Sequence, residues 1–184
     1  MTIARSRGVG PLDQRRFMDV FREVDMQAPL MSAYGLDGLD KLPSFLKYAL
    51  LSHLQYDGAP LALLAEWFRI LGFKVDLVSA ANIKEDTFRA DVAAAFACCP
   101  PTATSRQYVL VNYSRSVVGQ RMFSGGHYAP IGGFNAEEDK VLLLEVNSWR
   151  YPSVWVDLPR LWLATHTQVA NGNWRGYLRI QTLA

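Results

Sequence analysis

The stretch GGHYAPIGGF sets His127 between two glycine pairs, at the start of a run of strand-forming residues. Glycine lets a second backbone or a ligand come close, and a strand start holds a side chain more firmly than a loop does. Downstream, VLLLEVN carries Glu145 inside an otherwise apolar run, with Asn147 just beyond it. Between the two runs sits NAEEDK, a charged segment suited to a hairpin loop. Pairing through that hairpin brings His127 near residues 145 to 147, so that a carboxylate (Glu145) or an amide (Asn147) can orient the imidazole. Such a pair positions a histidine to take a proton from a Cys or Ser nucleophile. The same Glu145 also suits a structural ion pair with Arg150, and the pattern alone leaves both readings open.

The other reactive side chains are less well placed. His53 lies on a helical stretch at the edge of an apolar stripe, and His166 sits in the polar segment ATHTQ, where exposure to solvent is expected. Neither forms a metal-ligand spacing with the cysteines. Cys98 and Cys99 are the chain's two cysteines, and neighbours in sequence rarely form a comfortable disulfide. They stand at a helix end before two prolines, whereas a lowered thiol pKa is favoured at a helix N-terminus or beside a cation. They read as ordinary thiols in a reducing compartment, with soft-metal contact by the vicinal pair as the alternative. Trp149, Tyr151, Trp155, Trp162 and Trp174 cluster late in the chain and read as core and sheet-packing residues.

The elements that must position these residues follow from periodicity. Residues 1–16 are polar and aperiodic and read as a flexible leader, with one domain over 17–184. Phe17, Val20, Phe21 and Val24 fall at helical spacing, SFLKYALLSHL is a short helix with Ser44 as N-cap, and LALLAEWFRILGF repeats the pattern with Gly72 as its stop. KVDLVSA alternates as a strand, and Phe88, Val92, Ala95 and Phe96 align on a further helix that ends at CCPP. QYVLVNYS, HYAPIGGF, VLLLEVN and YLRIQTL supply the remaining strands. Helices first and an antiparallel sheet afterwards is an α+β order, not a doubly wound one.

Composition narrows the class of partner. The chain has 184 residues, 50% of them hydrophobic and 20% charged, with a formal net charge of +2. Its basic residues are scattered apart from Arg5, Arg7, Arg15 and Arg16, too weak a footprint for nucleic acid. The apolar run at Leu61–Leu64 is cut by Glu66 and Arg69, well short of the roughly 20 residues of a membrane span. The start of the chain does not read as a signal peptide, so a cytoplasmic location is expected.

GGHYAPIGGF, NAEEDKVLLLEVNSWRYPSVWVDLPRLWLA and NWRGYLRI together resemble the C-terminal part of the catalytic domain of phytochelatin synthase. YVLVNYSRSVVGQ and GAPLALLAEWFRILGFKVDLVSA resemble the segments before the histidine motif, so the resemblance covers roughly residues 58 to 180. It implies a papain-like cysteine-peptidase fold with a Cys-His-Asp triad. It also implies a reaction in which glutathione loses glycine and its γ-glutamylcysteinyl group passes to a second glutathione or to water. His127 matches the family's general base, and Glu145 stands at the position of its aspartate, one methylene longer. The nucleophilic cysteine has no counterpart here. QAPLMSAYG is the nearest segment, offering Gln27 for the oxyanion glutamine and Ser32 near the nucleophile position. Ser148 replaces the arginine that follows the family's aspartate. The resemblance thus implies a small thiol peptide such as glutathione as substrate, with no required cofactor and with Cd or Zn entering as the substrate's thiolate complex. Two further readings stay open: a catalytically inactive relative that binds a peptide, metal-thiolate or protein through the former cleft, and a chain completed by a partner chain or a homodimer.

Overall fold

The computed structural model describes residues 60–70, 72–97, 106–120, 125–145, 151–169 and 172–182. Gln27, Ser32, Cys98, Cys99, Asn147 and Arg150 lie outside the described residues, as do the leader and the helices expected before residue 55. The chain divides into two compact units, Met1–Trp67 and Phe68–Ala184, and every described strand belongs to the second.

Helix α1 (Leu61–Ile70) ends as its sequence predicts: Gly72 takes a left-handed φ of 80°, and its N–H closes on the carbonyl of Arg69. Strand β1 (Phe73–Ser79) follows, then α2 (Glu85–Phe96), β2 (Gln107–Ser114) and a single helical turn, α3 (Arg115–Val118). Strands β3 (Gly126–Asn135) and β4 (Lys140–Leu143) form the hairpin over NAEEDK. Strand β5 (Val154–Asp157), helix α4 (Leu158–Thr165) and strand β6 (Gly176–Thr182) complete the order.

The strands form one sheet in the order β1-β6-β2-β3-β4-β5, antiparallel throughout. One face carries the main core. Val109, Val111 and Tyr113 of β2 and Ala129 and Ile131 of β3 meet Phe88 and Val92 of α2 and Leu158, Leu161 and Trp162 of α4. Leu158, Leu161, Trp162 and Thr165 recur at helical spacing, so α4 presents one stripe to the sheet. The opposite face of β1, β2 and β6 buries Phe73, Val75, Leu110, Leu178 and Ile180. Among the described residues no helix is long and apolar enough to cross a membrane.

The α+β class holds, but three readings of the sequence need correction. Helices α2 and α4 lie between strands in the chain, so the helices do not simply precede the sheet. Strand β4 ends at Leu143, which leaves Glu145, expected within the strand, past its end. Trp155 and Trp174 are 50% and 39% exposed, so of Trp155, Trp162 and Trp174 only Trp162 is a core residue. Trp155 lies on β5, an edge of the sheet among the described residues.

Candidate active site

His127 enters the site from the start of β3. There it pairs with Tyr113 of β2, while Val111 pairs with Ala129, so the imidazole and the Tyr113 ring share the face that carries the main core. The Tyr113 ring stands edge-on to the imidazole, with centroids 5.9 Å apart.

Glu145 reaches the same face because of an irregularity in the hairpin. Phe134 and Asn135 pair with Val141 and Lys140, but the register slips between Ile131 and Gly133, leaving Gly132 as an extra residue. This is a β-bulge. Beyond it Ile131 pairs with Leu143, and the Leu144 N–H reaches the Pro130 carbonyl at 2.9 Å. Extended one residue, this register sets Glu145 beside Ala129, on the His127 face. Without the bulge Glu145 would register with Pro130 and face the other side, because side chains alternate along a strand. A Cβ at position 132 would fall 2.5 Å from Leu144 Cγ, so a larger residue in the bulge requires the Leu144 side chain to move.

The carboxylate of Glu145 is enclosed, with its side chain 1% exposed and that of His127 14% exposed. His127 Nε2 meets Glu145 Oε1 in a short hydrogen bond. The other oxygen, Oε2, accepts from the Tyr113 hydroxyl at 3.2 Å and from Gln120 Nε2 at 3.0 Å. Arg115 Nη2 lies over the imidazole, 2.5 Å from Nδ1 and 3.2 Å from Nε2, too close to both ring nitrogens to lie along either lone pair. A carboxylate only accepts, so the ring proton resides on Nε2, facing Glu145.

The electrostatics follow from this enclosure. Burial holds the His127 pKa below 6.5; the hydrogen bond and charge of Glu145 push it back up, and the Arg115 charge adds to the lowering. The imidazole is therefore neutral at neutral pH. Burial together with the Glu145 charge raises the Tyr113 pKa far above 10, which keeps its hydroxyl a donor.

A second polar network occupies the opposite face at the same end of β3. The buried guanidinium of Arg175 donates from Nη1 to Asn112 Oδ1 at 2.8 Å and from Nε to Thr167 Oγ1 at 3.0 Å. Gly126 makes room for it, because a Cβ there would lie 2.0 Å from Arg175 Nη1. Burial pushes the Tyr128 hydroxyl up to about 12, against the pull of Asn112 and Arg175. A cavity of about 210 Å³ opens beside Gln120, lined also by Val118, Trp155, Asp157 and Arg160.

The structure thus brings together His127 and Glu145, of the residues marked in the sequence. No group of three His, Cys, Asp or Glu side chains among the described residues could hold a metal ion. Arg115, Tyr113 and Gln120 escaped the sequence reading. Tyr113 carried a usable signal, since it falls in phase with Val109 and Val111 on an apolar strand face yet bears a hydroxyl. His166 is exposed as expected, but its ring stacks between Trp162 and Trp174 at 5.0 and 4.7 Å, and its Nδ1 lies 3.0 Å from the Ala80 carbonyl oxygen.

A family model described as phytochelatin synthase matches residues 41–177. The chain belongs to the phytochelatin synthase family. That match contains His127, Glu145, Asn147, Cys98 and Cys99, and it begins after Gln27 and Ser32. Among curated relatives, the chain is 41% identical over 87 residues to glutathione gamma-glutamylcysteinyltransferase 3 of Lotus japonicus, covering 47% of this chain and 17% of that protein. It is 28% identical over 134 residues to the glutathione gamma-glutamylcysteinyltransferase of Schizosaccharomyces pombe, covering 72% of this chain and 30% of that protein. To glutathione gamma-glutamylcysteinyltransferase 1 of Arabidopsis thaliana it is 34% identical over 110 residues, covering 59% and 21%. The chain therefore matches less than a third of each of these members of the phytochelatin synthase family.

Proposed function

We propose that the chain is a γ-glutamylcysteinyl acyltransferase or peptidase acting on glutathione-type thiol peptides in the cytoplasm, on a papain-like fold. The observation that carries this reading is the buried hydrogen bond between His127 and Glu145, in a member of the phytochelatin synthase family. In this mechanism Glu145 holds the Nε2 proton and orients the ring, and Nδ1 is the basic nitrogen. The Ser32 hydroxyl attacks the carbonyl carbon of the cysteinyl-glycine amide and passes its proton to Nδ1, while Gln27 donates to the developing oxyanion. His127 then returns the proton to the departing glycine amine as the C–N bond breaks. The acyl group goes on to the amine of a second peptide or to water. Cd or Zn enters bound to the substrate's thiolate, and Cys98 and Cys99 are candidates for contacting that metal.

Glycine release from glutathione in the presence of Cd²⁺ or Zn²⁺ tests the reading. Release that falls on His127→Ala supports it, and no release from the intact chain overturns it.

A second reading has its own observation. Arg115 lies against the imidazole, whose Nδ1 a nucleophile must approach. An inactive relative that binds a γ-glutamyl peptide, a metal-thiolate or a protein partner through the same cleft would keep that contact permanently. Calorimetric binding of glutathione without turnover is its signature. A chain whose nucleophile comes from a partner or a second copy would instead gain glycine release only on mixing or dimerisation.

A further inference from the structure

We propose that Gln120 is the positioning residue of Glu145: its side-chain amide fixes the plane of the buried carboxylate, so that Oε1 is turned to the Nε2–H of His127. The inference deepens the reading of His127 and Glu145 as a catalytic pair, and rests on that reading for its activity readout alone.

The need for such a residue lies in the side chain of Glu145. The last torsion of a glutamate is broad and roughly two-fold, so it takes the setting its partners impose. Glu145 also lies past the end of β4. A single hydrogen bond at Oε1 sets a distance and leaves the carboxylate able to swing about that torsion. A donor on Oε2 removes the swing, because the two oxygens then face different partners.

Gln120 supplies that donor from a fixed mount. Gly119 ends α3 in the left-handed region at φ 94°, where glycine is favoured, and its N–H returns to the Ser116 carbonyl at 3.2 Å. The Gln120 N–H closes on the Arg115 carbonyl at 2.9 Å, and Gln120 is buried whereas Gly119 before it is exposed. From there Nε2 donates to Glu145 Oε2 at 3.0 Å, and Oε1 stands 3.4 Å from the Tyr113 hydroxyl. A carboxylate only accepts, which sets the amide NH₂ toward Glu145 and the amide oxygen toward Tyr113. The Tyr113 hydroxyl also reaches Oε2, at 3.2 Å, but its one proton can turn to either acceptor and pins the plane less firmly than the amide does. Gln120 thus holds both the carboxylate and the hydroxyl that shares it.

Long-range ¹H–¹⁵N correlation spectra of the labelled full chain test this, with the signals of His127 and Gln120 identified by their loss in His127→Gln and Gln120→Leu. Gln120→Leu keeps a side chain of similar size and removes the donor. The bond at Oε1 should be lost with it, and the His127 protonation midpoint should fall by up to about one pH unit, a tenfold weaker hold on the ring proton. Glu145 and Arg115 are the charged groups that bear on that midpoint, and both remain in the variant. An amide that only drew charge from the carboxylate would give the opposite sign, since its loss leaves Glu145 the stronger acceptor. A rise in the midpoint, or no change, therefore overturns the proposal. If Gln120→Leu does not fold, the wild-type amide decides. Its protons should exchange with solvent at least about fivefold more slowly than those of an exposed glutamine, the factor that one net hydrogen bond supplies, and equal rates overturn the proposal. Glycine release by Gln120→Leu should fall in kcat with KM unchanged. The spectra need no turnover, so the expected fall in midpoint in a chain that releases no glycine would sink the acyl-transfer reading and leave this one standing.

Discussion

The Tyr113 hydroxyl stands 3.2 Å from Glu145 Oε2, a bond between two side chains enclosed by the core. Its hydroxyl helps a buried carboxylate to remain charged beside the imidazole. Tyr113→Phe leaves one acceptor site of Glu145 unfilled and should lower stability by ~1 kcal/mol, a typical net value for one hydrogen bond. Urea denaturation would show it as a fall in midpoint with an unchanged slope.

Glu145→Gln tests the carboxylate itself. The amide can present its oxygen to His127 or to the Tyr113 and Gln120 donors, not to all three, so the ring is pushed toward the wrong tautomer. Glycine release should drop by ~10²- to 10⁴-fold, a range whose upper end is the cost of the equivalent acid-to-amide change in serine proteases. An unchanged rate would remove Glu145 from the mechanism.

Stability should also depend on pH through His127, whose folded pKa is held below 6.5 chiefly by burial. On acidification the unfolded chain takes up this proton first, so the folded state loses ground as pH falls from about 6.5 toward the folded pKa. Stability thus rises with pH across that window and levels off above it. His127→Gln should flatten this part of the profile, as followed by thermal melts at a series of pH values.

Deleting Gly132 removes the extra residue but keeps Ile131 opposite Leu143, so Glu145 stays beside Ala129 on the His127 face. Glycine release from that variant should stay near the wild-type level, and a loss as large as that of Glu145→Gln would show that the bulge itself holds the pair. Gly132→Ala instead tests the packing. Its methyl group meets Leu144 and should cost ~1–3 kcal/mol by overpacking.

Away from the site, Arg89 of α2 binds the hairpin residue Asp139 through Nε at 3.0 Å and Nη2 at 2.8 Å, and Asp139 has a positive φ of 50°. The carbonyl of Asp139 also receives the N–H of Leu158 at the start of α4 at 2.8 Å. Arg89→Ala should lower stability by up to ~1 kcal/mol, the upper end for a partly exposed ion pair, and the loss should shrink at high salt. The Arg89 guanidinium holds the Asp139 carboxyl below its usual value, so the pair's contribution is present above that value and fades as acid protonates Asp139.

Much of this framework is visible in the sequence where the signal is local. The alternation of KVDLVSA and YLRIQTL, the glycine stop at Gly72 and the charged loop NAEEDK each report a backbone preference confined to a few residues. The hairpin that joins His127 to Glu145 is legible for the same reason. Strand β5 is not, because four residues after Pro152 and Ser153 are too few to show a period. Helix α4 was announced by Pro159 in its first turn but lay hidden among tryptophans read as sheet packing. The bulge left only the faint sign of paired glycines in a strand. Arg115 left none, since its role depends on a turn between β2 and β3 that sets a guanidinium against a ring twelve residues away.

The hairpin makes the His127–Glu145 pairing a local matter. His127 and Glu145 are carried eighteen residues apart on one folding unit whose contacts are short-range and close early. A nucleophile contributed from Ser32 would instead be recruited across nearly a hundred residues. The pairing of His127 with Glu145 thus depends on one local hairpin, and a change in a distant segment can leave it in place.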